Sequence, residues 1–191
     1  MQNVIISEET EKDRKNVCNI IKDAFAFAQH SDGDEHNLVE RLRGSEVFIP
    51  KLSLVAVLNN EVVGYVLFTK LEVAKTTQLA LAPLAVAPKF QKRGIGSLLV
   101  ETGHKKAMEM GFEYSIVLGN PGYYSRFGYR PSDEFNIKCP FNVPREYFMA
   151  AKLQGKTFLN DADVRYSKEF LILFIGQKEG RNSFLMSFGA L

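Results

Sequence analysis

Between Leu79 and Met110 the chain passes from an apolar run, through a basic glycine-bearing loop, into a helical pattern. No other stretch limits the fold as much. The apolar run Leu79 to Val86 closes at Pro88, and a short loop with Lys89, Gln91, Lys92 and Arg93 leads to Gly94 and Gly96. Ile95, Leu99, Gly103, Ala107 and Met110 then recur at the spacing of one helix face. The order is therefore buried strand, basic glycine loop, helix. A helix start offers unpaired backbone N–H groups and the positive end of the macrodipole. Glycine lets a ligand approach the backbone, and Lys92 and Arg93 add full charges. These features suit a phosphate or pyrophosphate.

Two familiar phosphate loops do not fit. There is no G-x-x-x-x-G-K-[ST] run, and a G-x-G-x-x-G begun at Gly94 and Gly96 meets Leu99 where the third glycine is needed. A lone G-x-G would read as an ordinary strand-to-helix turn. The residues on either side of it argue for more.

Composition excludes several classes. The 191 residues fit one domain, and 46% hydrophobic content supplies a sizeable core. A formal net charge of +2 is too balanced for a nucleic-acid partner, so the basic loop suits a small anionic ligand better. Cys18 and Cys139 give no disulfide framework, and His30, His36 and His104 show no metal-binding spacing. No metal is expected. The first residues lack a basic region followed by an apolar core, and no apolar run approaches the roughly 20 residues of a membrane span. The expected location is the cytoplasm, with no membrane partner.

Along the chain, Val4–Ile6 reads as a first strand, and Thr10 with Asp13 as a capping box before an amphipathic helix of about five turns. That helix carries Val17, Ile20, Ile21, Ala24 and Ala28 on its apolar face. A polar loop, residues 29–36, precedes a short helix with Leu38, Val39 and Leu42 inward. Leu54–Leu58 and Val62–Phe68 around Asn59-Asn60-Glu61 predict a β-hairpin. Gln78–Val86 predicts the next strand, with Pro83 forcing a bulge or splay. Gly111 ends the long helix, Tyr114–Leu118 is another buried strand, and residues 119–122 form a turn. Arg145 to Leu153 reads as a helix and Val164–Tyr166 as a closing strand.

The glycine stretch resembles the signature of the GNAT N-acetyltransferase superfamily, [QR]-x-x-G-x-[GA] after a strand ending in -LAV-x-P. Here it stands as Leu84-Ala85-Val86-Ala87-Pro88 followed by Gln91-Lys-Arg-Gly94-Ile-Gly96. The family's downstream Y-x-x-x-G-[FY] is matched by Tyr124-Ser-Arg-Phe-Gly128-Tyr129. Within the superfamily the phrases Leu38-Val-Glu-Arg-Leu-Arg43, Pro83-Leu-Ala-Val-Ala-Pro88 and Gly119-Asn-Pro-Gly-Tyr-Tyr124 resemble the bacterial YhbS-like group. The resemblance covers roughly residues 3 to 170. It implies an α/β fold of the mixed α+β kind: a mostly antiparallel central sheet, helices on both faces, and a strand splayed at the cofactor site.

It also implies transfer of an acetyl group from acetyl-CoA to an amine of a small molecule or peptide, by direct attack in a ternary complex. Acetyl-CoA is then a cosubstrate. The backbone of Leu84, Ala85 and Val86 would hold the pantetheine arm. Gln91, Lys92, Arg93, Gly94, Ile95, Gly96 and Ser97 would hold the pyrophosphate, with Asn120 completing the cofactor site unless it is only a turn residue. Tyr124 would protonate the leaving thiolate, and Tyr123 would be a core or positioning ring. Arg126 would either cap a sheet edge or touch the 3′-phosphate. Glu35, His36 and Glu72 are candidate bases, and the loop 29–36 a candidate acceptor contact. The other readings are a non-catalytic acyl-CoA sensor on the same fold and an interaction protein using the apolar tail. That tail, residues 171–191, lies beyond the domain of residues 1–170. It reads as an extra hairpin on the sheet or as a homodimer surface.

Overall fold

The structure is a computed structural model and describes residues 4–26, 33–156, 159–170 and 189–190. Its elements in chain order are β1 (Ile5–Glu8), α1 (Arg14–Phe25), α2 (Glu35–Arg43), β2 (Ser53–Leu58), β3 (Glu61–Val73), β4 (Thr76–Val86), α3 (Ile95–Glu109) and β5 (Tyr114–Leu118). Then come α4 (Pro121–Tyr124), β6 (Arg130–Pro131), β7 (Phe148–Lys152), β8 (Val164–Arg165) and β9 (Gly189–Ala190). The described strands form one sheet in the order β1-β2-β3-β4-β5-β7-β6, with β8 added to β3 and β9 to β4. Pairing is antiparallel except for β4 with β5 and β4 with β9.

Strand alternation sorts side chains to two faces. On one, Val17, Ile20, Ile21 and Phe25 of α1 and Leu38, Val39 and Leu42 of α2 pack against Val55, Tyr65, Leu67, Ala80, Ala82, Ala85 and Ile116. On the other, Ile95, Leu99, Val100 and Ala107 of α3 pack against Val66, Phe68, Leu79, Leu81, Leu84 and Val86. Helices thus cover both faces, as expected. Gly103 brings α3 down on Phe68, where a Cβ would sit 2.2 Å from the ring. Met110 departs from the predicted face and is 43% exposed, because α3 ends at Glu109 and Gly111 turns the chain away at φ +86°.

The irregularity foreseen at Pro83 is a β-bulge. Val66 pairs with Leu84 and Phe68 with Leu81, so Ala82 and Pro83 together oppose Leu67. The extra residue shifts the alternation, which is why Leu81 and Leu84 lie on the same face. Beyond the bulge β4 parts from β5: their pairing is confined to Leu79 with Ser115 and Ala80 with Ile116. The hairpin also forms as expected, Asn59 and Asn60 both taking positive φ in a tight turn.

Three expectations change. Asp13 accepts from both the N–H and the hydroxyl of Thr10, at 2.8 and 2.7 Å, and α1 begins after it. The pair closes a turn ahead of the helix instead of capping its first turn from Thr10. Helix α1 spans 12 residues, shorter than five turns, with Phe25 as its last buried anchor; Ala28 lies outside the described residues. Residues 145–153 are not a helix: after a single 3₁₀ turn, β7 pairs antiparallel with all of β5. A segment reading Phe-Met-Ala-Ala-Lys suits a helix locally, but the open edge of β5 decides its conformation. Among the described residues no helix is long and apolar enough to cross a membrane.

Candidate functional site

Strands β4 and β5 run parallel and diverge, leaving a crevice outside their carboxyl ends, where open α/β sheets bind ligands. The loop after β4 forms one wall. Gln91 anchors it, its amide donating to the Val86 carbonyl at 3.1 Å. Lys92 and Gly94 then take φ +58° and +79°, and the helical bonds begin with Leu98 N–H to the Gly94 carbonyl. The N–H groups at the start of α3 precede any helical acceptor. No other atom lies within 4 Å of where a Gly94 Cβ would be, so conformation, not crowding, demands glycine there.

A cleft of about 330 Å³ opens on this loop, lined by Val86, Phe90, Gln91, Lys92, Gly94, Ile95, Gly96, Ser97, Tyr123 and Arg126. Among the described residues Lys92 and Arg93 form no ion pair, whereas neighbouring Lys89 is engaged with Glu61 at 2.8 Å. Phe90 was not anticipated: its ring lies under Lys89 and Arg93, with the cations 4.8 and 5.5 Å from its centroid. An aromatic inside a basic loop is the signal that could have found it.

The second wall follows β5. Asn120 caps α4 by accepting the Gly122 N–H at 2.8 Å and stays outside the cleft lining. Tyr123 enters the lining, where burial raises its phenol and Ser97 of α3 partly offsets that rise. Arg126 stacks over Tyr123 at 4.8 Å, in the cleft and not on a sheet edge. Tyr124 does not line this cleft and is buried, 1% exposed. A Cβ on Gly119 would lie 2.5 Å from its ring, so glycine there makes room for it. Burial, with Tyr129 and Tyr123 close by, pushes the Tyr124 phenol well above its ordinary range, so it keeps its proton through neutral pH.

Beneath these rings lies a network absent from the sequence reading. The Tyr129 hydroxyl meets Ser115 Oγ at 2.6 Å and His104 Nε2 at 3.0 Å, while its ring packs edge-on against Tyr124. Burial lowers His104 to about 4 and holds it neutral. The candidate bases do not converge on the cleft. Glu72 faces Arg165 at the far end of β3, six residues beyond the position paired with Leu84. Glu35 is buried at the start of α2 on the opposite face. His36 is lowered by partial burial and by Lys22, so it is largely uncharged at neutral pH. Of the loop 29–36, residues 29–32 lie outside the described residues. No group of three His, Cys, Asp or Glu that could hold a metal occurs among the described residues.

A strand splayed at a bulge, a basic glycine loop at a helix start and a tyrosine pair after the next strand together have the form of a GNAT-type acetyltransferase. The acetyltransferase (GNAT) family model matches residues 15–129, and the chain belongs to this family. It is 32% identical over 152 residues to the uncharacterized N-acetyltransferase YjhQ of Escherichia coli K12, covering 77% of this chain and 81% of that one. Over 134 residues it is 31% identical to the uncharacterized N-acetyltransferase YhbS of the same strain, covering 69% and 79%. Its fold superposes on a GNAT acetyltransferase from Brucella melitensis, crystallised with acetyl-CoA, with TM-score 0.72 at 25% identity over 89% of this chain and 99% of that one. The crystal structure of E. coli YhbS with CoA gives TM-score 0.78 at 24% identity over 90% and 93%.

Proposed function

We propose that this acetyltransferase binds acetyl-CoA along β4 and the glycine loop and transfers the acetyl group directly to an amine in a ternary complex. The observation that carries the reading is the junction of two features. Beyond its bulge β4 leaves β5, and immediately after it stands a left-handed glycine loop whose Lys92 and Arg93 form no ion pair among the described residues. The backbone of Leu84, Ala85 and Val86 suits a pantetheine arm. The N–H groups and side chains of Gln91 to Ser97 suit the pyrophosphate, and Arg126 lies where it can add charge. Two crystallised relatives hold acetyl-CoA and CoA, which supports acetyl-CoA as the ligand.

In the reaction the amine nitrogen attacks the thioester carbonyl, the C–S bond breaks, the thiolate takes a proton and the new amide's nitrogen loses one. Alignment of thioester and amine supplies much of the effect. A β4 backbone N–H polarises the carbonyl, and Tyr124, buried behind the loop-lined cleft and still protonated at neutral pH, donates to sulfur once the thioester reaches into the crevice between β4 and β5. The described residues lining the cleft include no carboxylate or imidazole. The ammonium proton leaves through water, through a group on the acceptor or through a protein group outside this cleft. That absence is also what favours the second reading, an acyl-CoA sensor without turnover.

Acetyl-CoA-dependent thiol release, screened over amines, polyamines, amino acids and peptides, separates the two. Calorimetry with acetyl-CoA runs alongside. Binding with turnover on one acceptor supports the enzyme, and binding without any turnover supports the sensor. Absence of binding at millimolar acetyl-CoA sinks both. The cytoplasm fits either reading and is tested by fractionation.

A further inference from the structure

Of the apolar tail, residues 171–188 and 191 lie outside the described residues, and only β9 is described. Gly189 and Ala190 pair in parallel with Leu84 and Ala85, on the edge of β4 that β5 vacates. The opposite edge of the same residues is filled by β3, with Tyr65 opposite Ala85 and Val66 opposite Leu84. One free backbone edge thus remains at this level, and the chain's own segment lies along it. Resting on the reading that Leu84–Val86 receive the pantetheine arm, we propose that β9 competes with acetyl-CoA for this edge. The strand is an intramolecular inhibitor.

The argument is one of exclusive occupancy. Each backbone N–H and carbonyl on that edge has one outward direction, and a paired strand uses it. Pantetheine carries amide groups that would seek the same partners. The contact is also built to yield. It consists of two residue pairs, Gly189 with Leu84 and Ala190 with Ala85, held by main-chain pairing alone. Strand addition to an exposed sheet edge draws its affinity from main-chain bonds, so a longer ligand held elsewhere by its pyrophosphate can displace it. The apparent acetyl-CoA affinity falls by the fraction of molecules whose edge is open. An edge covered about 70–90% of the time weakens binding about three- to tenfold.

The test compares the full chain with a variant lacking residues 189–191 and with Ala190→Pro, which removes a backbone donor from the strand. Backbone hydrogen exchange at residues 84–86 is measured without ligand, and acetyl-CoA affinity by calorimetry. Faster exchange at 84–86 in both variants, with the rest of the sheet unchanged, and about three- to tenfold tighter acetyl-CoA binding are expected. Equal exchange in all three proteins overturns the proposal, because β9 then does not cover the edge. Faster exchange with unchanged affinity also overturns it, because the edge is then not where acetyl-CoA binds. If the variants expose the edge and none of the three proteins binds acetyl-CoA, the acetyl-CoA reading itself fails and the competition with it. A soluble peptide of residues 182–191 should restore weak binding to the shortened chain, and its failure at millimolar concentration counts against a strand-specific effect.

Discussion

Tyr123 and Tyr124 are adjacent, chemically identical and differently placed. Tyr124→Phe is expected to lower kcat about 10²- to 10⁴-fold while leaving acetyl-CoA affinity nearly intact, since its proton is needed as charge develops on sulfur. Tyr123→Phe removes a hydroxyl from the cleft wall and should act mainly on acetyl-CoA affinity, by severalfold. Both changes remove only a hydroxyl, so each controls for the other. Steady-state rates with one accepted amine from pH 6 to 10, together with separate binding measurements, distinguish them. An unchanged kcat for Tyr124→Phe removes it from the mechanism. Gly94 offers a backbone test of the same site: its φ of +79° costs a β-branched residue about 1–3 kcal/mol. Gly94→Val should relieve that strain by reshaping the loop and weaken acetyl-CoA binding at least tenfold. Wild-type affinity in that variant would mean the loop does not cradle the ligand.

At the scale of elements, α3 carries both the glycine loop and a buried histidine. His104 is 8% exposed between Phe68 and Tyr129, and its pKa falls from 6.5 to about 4 on burial. Between those values the unfolded chain binds the extra proton, so stability rises with pH through this window. The contribution is complete above about pH 6.5 and is lost as pH falls toward 4. The shift corresponds to about 3 kcal/mol as an order of magnitude. Urea unfolding of wild type and His104→Gln from pH 7 to 4.5 checks this. The variant should show a flatter decline with acid, and parallel pH profiles would show that His104 does not titrate with folding. Because Tyr129 joins His104 to Ser115 and packs on Tyr124, loosening of α3 in acid should reach the tyrosine pair before the β1–β2 edge. Hydrogen exchange at pH 5 resolves that order.

Over the whole molecule, a buried ion pair joins two distant segments. The Arg43 guanidinium at the end of α2 is paired with Glu9, just after β1, and both side chains are 4% exposed. Glu9 also accepts from the Ser53 hydroxyl at 2.7 Å, and Ser53 meets the buried Tyr65 hydroxyl at 2.9 Å. Arg43→Met leaves the carboxylate buried and uncompensated, at a cost of about 3–5 kcal/mol. Adding Glu9→Gln should recover most of that loss, since no isolated charge remains. Denaturant midpoints of the two variants measure the coupling. If the single variant is as stable as wild type, the pair is dispensable.

The local code wrote much of this protein openly. Periodicity placed α1, α2 and α3, β-branched runs placed β2, β3 and β5, and Pro83 marked the bulge, because each depends on neighbours within a few residues. The glycine loop was legible for the same reason: left-handed backbone at Gly94 and a helix start are local properties. Elsewhere partners remote in sequence decided. Residues 148–152 form β7 because the edge of β5 needs a neighbour, and that edge is 30 or more residues away. Which tyrosine faces the cleft depends on Gly119 leaving room for a ring. His104, Tyr129 and Ser115 meet only when α3 lies across the sheet. The pairing of Gly189 and Ala190 with Leu84 and Ala85 spans over 100 residues and exists because β4 leaves β5 at its bulge. Sequence determined most of the elements and the backbone of the glycine loop through short-range preference. Only the tertiary structure decided which edges, rings and buried charges meet, because desolvation and steric exclusion act between segments that the chain order keeps apart.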